Sequence, residues 1–173
     1  LLLAALAFAI RVAYVLFLPQ VKVPGGDGVI YLGLSDLVRG LINRVPSAPT
    51  YYPILYPHFL AAVRSLFGED LVWIRLWQAC FSAATVFVMT LMARRWVGRE
   101  AVVPTGLVAA FYPAMVLESG IIYTETTYTF YLTAAVALAI AAVQGRRLRY
   151  ALAAGIAFTG AGLTRELGFY QAA

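Results

Sequence analysis

Cysteine, histidine and acid are all scarce in this sequence. Of its 173 residues one is cysteine, one is histidine and eight are Asp or Glu. A lone thiol, Cys80, sets aside any disulfide framework within the chain. A lone imidazole, His58, sets aside a His-rich metal centre, so a metal here would rest on carboxylates and be a hard cation such as Mg²⁺ or Mn²⁺. Charge of either sign is thin: Asp, Glu, Lys and Arg together make up 12%, against ~25% in a soluble domain. The net charge of +5 does not point to nucleic acid. Much of the basic charge falls in two tight groups between apolar runs, Arg94-Arg95 with Arg99 and Arg146-Arg147 with Arg149. Such clusters mark the cytoplasmic loops of a polytopic protein, not a phosphate-tracking face.

Apolar residues fill the space left by charge, at 62% of the chain with a mean hydropathy of +0.82. They lie in long runs joined by short polar links, which is the membrane pattern. The runs predict spans over about 1–18, 71–96, 101–117, 126–143 and 150–163, with the start of a sixth at 167–173. Trp73, Trp77 and Trp96 mark interfaces at the two ends of the second. The fifth is rich in small residues such as Gly155, Ala157 and Gly160, which permit close helix packing. The expected fold class is all-α, a polytopic transmembrane helical bundle.

The long link 21–70 holds two amphipathic stretches expected to lie in the interface. The first follows Pro24-Gly25-Gly26-Asp27-Gly28, a turn that presents a carboxylate uncrowded by side chains. Asp27 reads equally as the cap of the helix after it or as an acid at the mouth of a membrane-embedded cavity. The second starts in Tyr52-Pro53-Ile54-Leu55-Tyr56-Pro57-His58 and stops at Gly68. Tyr31, Tyr52, Tyr56 and His58 stand either as substrate contacts or as interfacial anchors. Arg11, inside the first span, either faces a polar cavity or reaches for the interface. Arg75 and Gln78 share a face near the start of the second span. With both basic clusters inside, alternation of the spans carries Asp27, Glu118, Glu125, Arg165 and Glu166 to the outside.

Taken in order, these pieces resemble the integral-membrane glycosyltransferases of the GT-C type, in the family 39 branch of protein O-mannosyltransferases and aminoarabinose transferases. The resemblance runs through Gly26-Asp27 with Tyr31, Tyr52-Pro53-Ile54-Leu55-Tyr56-Pro57, Arg75-Leu76-Trp77-Gln78 and Ala93-Arg94-Arg95-Trp96. It continues through Tyr112-Pro113, Glu118-Ser119-Gly120, Thr124-Glu125 and Leu163-Thr164-Arg165-Glu166. Family members often place a proline between the arginine and the final acid of the last motif, whereas Glu166 follows Arg165 directly here. The resemblance implies that residues 1–173 are the N-terminal portion of one GT-C-like domain, with two juxtamembrane helices in the first outer loop.

It also implies transfer of a sugar from a polyprenyl-phosphate-type lipid carrier to a protein, lipid or glycan acceptor, through its hydroxyl or amine, outside the cytoplasm. In that chemistry Asp27 is the expected base that activates the acceptor. Arg165, with Arg11 and Arg75, is expected to offset charge on the departing lipid phosphate. Glu125 and Glu118 would hold a divalent ion or the sugar, and Glu125 also reads as an acid placed on the dipole of the fourth span. Two other classes compete: a transporter or flippase fragment, which should show interrupted spans in an inverted repeat, and a non-catalytic lipid-binding membrane subunit, whose outward carboxylates should tolerate replacement.

Overall fold

The computed structural model describes residues 1–17, 26–43 and 52–165. Glu166, the expected sixth span at 167–173, the Pro24-Gly25 half of the acid-bearing turn and the turn at 44–50 lie outside the described residues. Among the described residues every regular element is helical. They are α1 (Leu2–Phe17), α2 (Asp27–Val38), α3 (Leu55–Phe67), α4 (Leu71–Trp96), a single 3₁₀ turn (Arg99–Ala101), α5 (Val102–Phe111), α6 (Pro113–Gly120), α7 (Glu125–Gly145) and α8 (Leu148–Thr164).

Among the described residues two helices are long and apolar enough to cross a membrane unaided: α4, with 26 residues, and α7, with 21. The 3₁₀ turn with α5, taken together with α6, makes a third candidate, bent by 45°. α1 has 16 residues, and α8 has 17, extending the expected 150–163 run at both ends; they measure about 24–26 Å at helical rise, against a hydrocarbon core of about 30 Å. The expected third span, 101–117, instead continues to Gly120 and breaks at Tyr112, which takes an extended conformation (φ −61°, ψ 115°). Pro113 explains the break: it has no N–H to give to the carbonyl four residues back, and its ring pushes the preceding residue out of the helical region.

A broken helix leaves carbonyls that hydrocarbon cannot satisfy. Arg11 supplies the missing donors. It is fully buried, and its Nη1 donates to Ala110 O at 3.0 Å and to Ala7 O at 3.0 Å, while Nη2 donates to Ala109 O at 3.2 Å. Its Nε donates to Ser82 Oγ at 2.5 Å, and that hydroxyl in turn donates to Met115 O at 3.3 Å beyond the break. The guanidinium expected in a sugar-donor cavity is thus engaged inside the bundle, as a clamp joining α1, α4, α5 and α6. Gly106 lets α5 approach closely, since a Cβ there would lie 2.5 Å from Leu3 and 2.9 Å from Thr90.

α4 runs through the middle, packed on α1, α5, α6 and α7. Asp70 starts it by accepting the Val72 amide at 3.0 Å, an N-cap bond. α8 lies along α7, where Gly160 meets the ring of Tyr131 so closely that a Cβ would sit 2.7 Å away. Gly160 serves close packing, as the sequence suggested, whereas a Cβ at Gly155 would meet nothing within 4 Å.

α2 and α3 pair with each other beside the start of α4. Tyr31, Tyr56, Leu60, Val63, Ile74 and Ile122 form the core beneath them. At the far end of the pair Arg39 Nη2 meets Glu69 Oε1 at 2.6 Å, and Arg64 bonds Glu69 and reaches Asp36 Oδ1 at 2.8 Å. Hydrogen bonds from Arg39 and then Arg64 hold the Glu69 carboxyl below its ordinary range.

The clamp makes a checkable statement about stability. Replacing Arg11 with Met removes the donors to two buried carbonyls and should cost about 2 kcal/mol or more. Pro113→Ala returns an amide to Ala109 and should recover part of that loss in the double variant, measured by unfolding in detergent. Additive losses in the double variant would contradict the clamp.

Candidate active site

The site is assembled around Tyr31, on the first turn of α2 after the acid. Gly26 precedes α2 with φ +100°, a conformation that favours glycine. It also lies against the link between α6 and α7, where a Cβ would stand 3.5 Å from the Tyr123 hydroxyl. Gly26 is the N-cap residue and makes no side-chain cap bond. Asp27 is the first helical residue, so the reading of Asp27 as the cap is corrected: its carboxylate is exposed and not consumed at the helix start.

Tyr31 is 6% exposed, packed against Tyr52 and Tyr56, with the Thr124 side chain near its hydroxyl. Its pKa is pushed up to about 12, first by burial, with the charges of Asp27 and Glu125 adding to the shift and the nearby Thr124 side chain opposing it. The phenol therefore stays protonated throughout the physiological range. The charges of both carboxylates, of α2 and of α7, are felt at Tyr31.

Glu125 opens α7 and is paired with Arg165, just past α8, at 3.1 Å from Nη1 to Oε1. Both side chains are partly open to solvent, at 33% and 38%. The Arg165 guanidinium also lies over the Tyr128 ring, 5.9 Å from its centroid. Glu118, near the end of α6, feels the charges of Glu125 and Arg165. It closes one end of a groove of about 750 Å³ whose walls include Met89, Val108, Tyr112, Met115 and Thr133.

The expected aromatic and histidine contacts divide by helix face. Tyr52 packs edge-on against Tyr31, with ring centroids 5.0 Å apart. Tyr56 does the same at 5.1 Å, but it is 1% exposed and its hydroxyl donates to Gln78 Oε1 at 2.6 Å. Tyr56 thus holds Tyr31 from beneath. His58, two residues on and across the helix, is exposed and bonds Ile54 O through Nδ1 at 2.7 Å. Arg75 is buried in α4, at 4% exposure.

Gln78 is the positioning residue absent from the expected set. Its Nε2 donates to Glu118 O (3.3 Å), Ser119 O (3.2 Å) and Ile121 O (2.6 Å), the carbonyls left where α6 ends. With its Oε1 holding Tyr56, one buried amide fixes both α3 and the link that carries Thr124 and Glu125. A lone amide inside an apolar run was the available signal, because such a group must find partners.

A resident divalent ion fits this arrangement poorly. No group of three His, Cys, Asp or Glu side chains that could hold one occurs among the described residues, and Glu125 already carries the Arg165 guanidinium. No chemical step is routed through a metal here.

An apolar helical bundle with acids and an arginine gathered at one end is consistent with a membrane glycosyltransferase. A family model described as dolichyl-phosphate-mannose-protein mannosyltransferase matches residues 51–173, and the chain belongs to that family. The match begins after α2, so Asp27 and Tyr31 lie outside it and Glu118, Glu125 and Arg165 within it. No curated protein and no solved structure matches the chain.

The Glu125–Arg165 pair can be weighed directly. A double-mutant cycle with Glu125→Gln and Arg165→Gln, read by chemical unfolding, should give a coupling of about 0.5–1 kcal/mol, the range for pairs open to solvent. A coupling near zero would mean that the two side chains do not meet.

Proposed function

We propose that this chain carries the acceptor-activating and phosphate-facing part of an enzyme that moves a sugar from a polyprenyl-phosphate-type carrier to a hydroxyl or amine acceptor, at the extracytoplasmic face. The observation that carries the proposal is the meeting of three chain segments around Tyr31: the start of α2, the link into α7, and the end of α8. The opposite end of the bundle holds the basic clusters, with Arg95 Nε bonded to Gln144 Oε1 at 2.9 Å. The positive-inside tendency supports placing the Tyr31 end outside.

Asp27 takes the proton from the acceptor as its oxygen or nitrogen attacks the sugar carbon. Its exposed position on a glycine-flanked turn leaves room for an acceptor, and it forms no capping bond that would have to break. Arg165 faces the phosphate as the carrier departs and offsets the charge gathering there. Glu125 keeps that guanidinium in place until the anionic carrier competes for it. Tyr31, neutral and near Thr124, offers a hydroxyl for the sugar. The groove that ends at Glu118 supplies an apolar path for the carrier's hydrocarbon chain.

Asp27→Asn tests the proposal in the full-length protein given a polyprenyl-phosphate-linked sugar. Sugar transfer should fall by about 100-fold or more, while thermal stability stays within about 0.5 kcal/mol of the parent. Retained transfer would remove Asp27 from the chemistry. Movement of a solute across liposomes without any lipid-linked sugar would favour a transporter.

A further inference from the structure

The end of the bundle away from Tyr31 contains a second cavity, of about 340 Å³, that the sugar-transfer reading does not use. It is lined by Arg95 from the last turn of α4, Ala141 and Gly145 from α7, Arg147 from the connection, and Tyr150 from the first turn of α8. We propose that it binds the phosphate headgroup of an anionic membrane phospholipid.

Charge, shape and surroundings each support this occupant. Every ion pair among the described residues lies at the other end of the bundle, so neither Arg95 nor Arg147 is neutralised by a carboxylate there. Glu100 is the one acid in the sequence near these clusters, and its carboxylate lies against Gly98. Arg95 is braced by its Nε bond to Gln144 at 2.9 Å. Arg149 crosses the Tyr150 ring at 5.0 Å from its centroid and donates to the Tyr150 hydroxyl at 3.4 Å, adding a third guanidinium beside the cavity.

The backbone contributes as well. Arg147 and Tyr150, from the N-cap and first turn of the 17-residue α8, line the cavity, so the positive end of the helix dipole lies beside it. Arg146 closes α7 in the left-handed conformation, φ 47°, a strain that a non-glycine residue adopts at some cost. The connection is thereby held to two residues, and both helix ends stay at the cavity. Gly145 leaves its wall open, since a Cβ there would meet only the Arg147 stem at 3.8–4.0 Å.

The surroundings indicate a lipid instead of a soluble phosphate. Val143, Leu148 and Leu152 flank the cavity and are 80%, 74% and 61% exposed, an apolar border suited to acyl chains beneath a headgroup held by guanidinium groups. Simple orientation by positive charge needs the basic residues but has no use for a cavity.

Native mass spectrometry of the protein released from nanodiscs of phosphatidylglycerol and phosphatidylcholine separates the two. The parent should retain phosphatidylglycerol preferentially. Arg95→Gln with Arg147→Gln should lower retention by about tenfold. Gly145→Leu, which keeps every charge but fills the cavity, should do the same, whereas Arg94→Gln with Arg99→Gln should leave retention unchanged. Full retention in Gly145→Leu, or equal loss in the Arg94/Arg99 variant, would overturn the site in favour of diffuse charge. Thermal melts in phosphatidylcholine nanodiscs identify variants that do not fold, and should the double arginine variant fail, Gly145→Leu decides. Inorganic phosphate should not displace the bound lipid at millimolar concentration; displacement would mean that a soluble phosphate is the ligand.

Discussion

The architecture depends on how a broken helix is satisfied where water is absent. Pro113 interrupts the span of α5 and α6, and a second interruption follows at Gly120. In hydrocarbon each freed carbonyl must find a donor from the protein itself. Arg11 and Ser82 answer the first break, and Gln78 answers the second. All three side chains are buried. The polar groups inside this apolar bundle are therefore chiefly backbone partners. What they secure is a kink at fixed depth and a link that leaves α6 in one direction.

From that link the site follows. Gln78 holds the carbonyls of Ser119 and Ile121 with one end of its amide and the Tyr56 hydroxyl with the other. Tyr56 packs beneath Tyr31, and Tyr31 lies near Thr124, one residue before Glu125. The two juxtamembrane helices are thus registered against α7 through a short series of contacts that begins in the middle of α4. Asp27 stands at the free end of that series, and the Glu125–Arg165 pair borders it. Rigid support beneath and exposed charge above is the arrangement that positions reactive groups without occupying them.

Much of this was legible before the structure. The span at 71–96 coincides with α4, because an uninterrupted apolar run ended by arginines admits one reading. α2 begins after Gly26 and α3 stops at Gly68, where glycines with positive φ allow the turn. The gathering of acids at one end followed from alternation of the spans, and Glu125 and Arg165 do meet. The role of Arg11 was not legible. Its partners are carbonyls 98 and 99 residues away, acceptors only because Pro113 breaks a different helix. Tyr56 and His58 were grouped by composition, although two positions along a helix lie on nearly opposite faces; spacing alone could have separated the buried phenol from the exposed imidazole. The break at Pro113 shows that hydropathy marks apolar runs better than it measures where helical geometry is interrupted.

The most direct test of the central claim is the structure of the full-length protein with a polyprenyl-phosphate-linked sugar bound, determined by electron cryomicroscopy in nanodiscs. The account predicts the carrier's phosphate beside Arg165, with the sugar between Tyr31 and Asp27 and the hydrocarbon chain leaving along the groove at Glu118. A carrier phosphate bound at the Arg95–Arg147 end, or seated with Asp27 remote from the sugar, would contradict it.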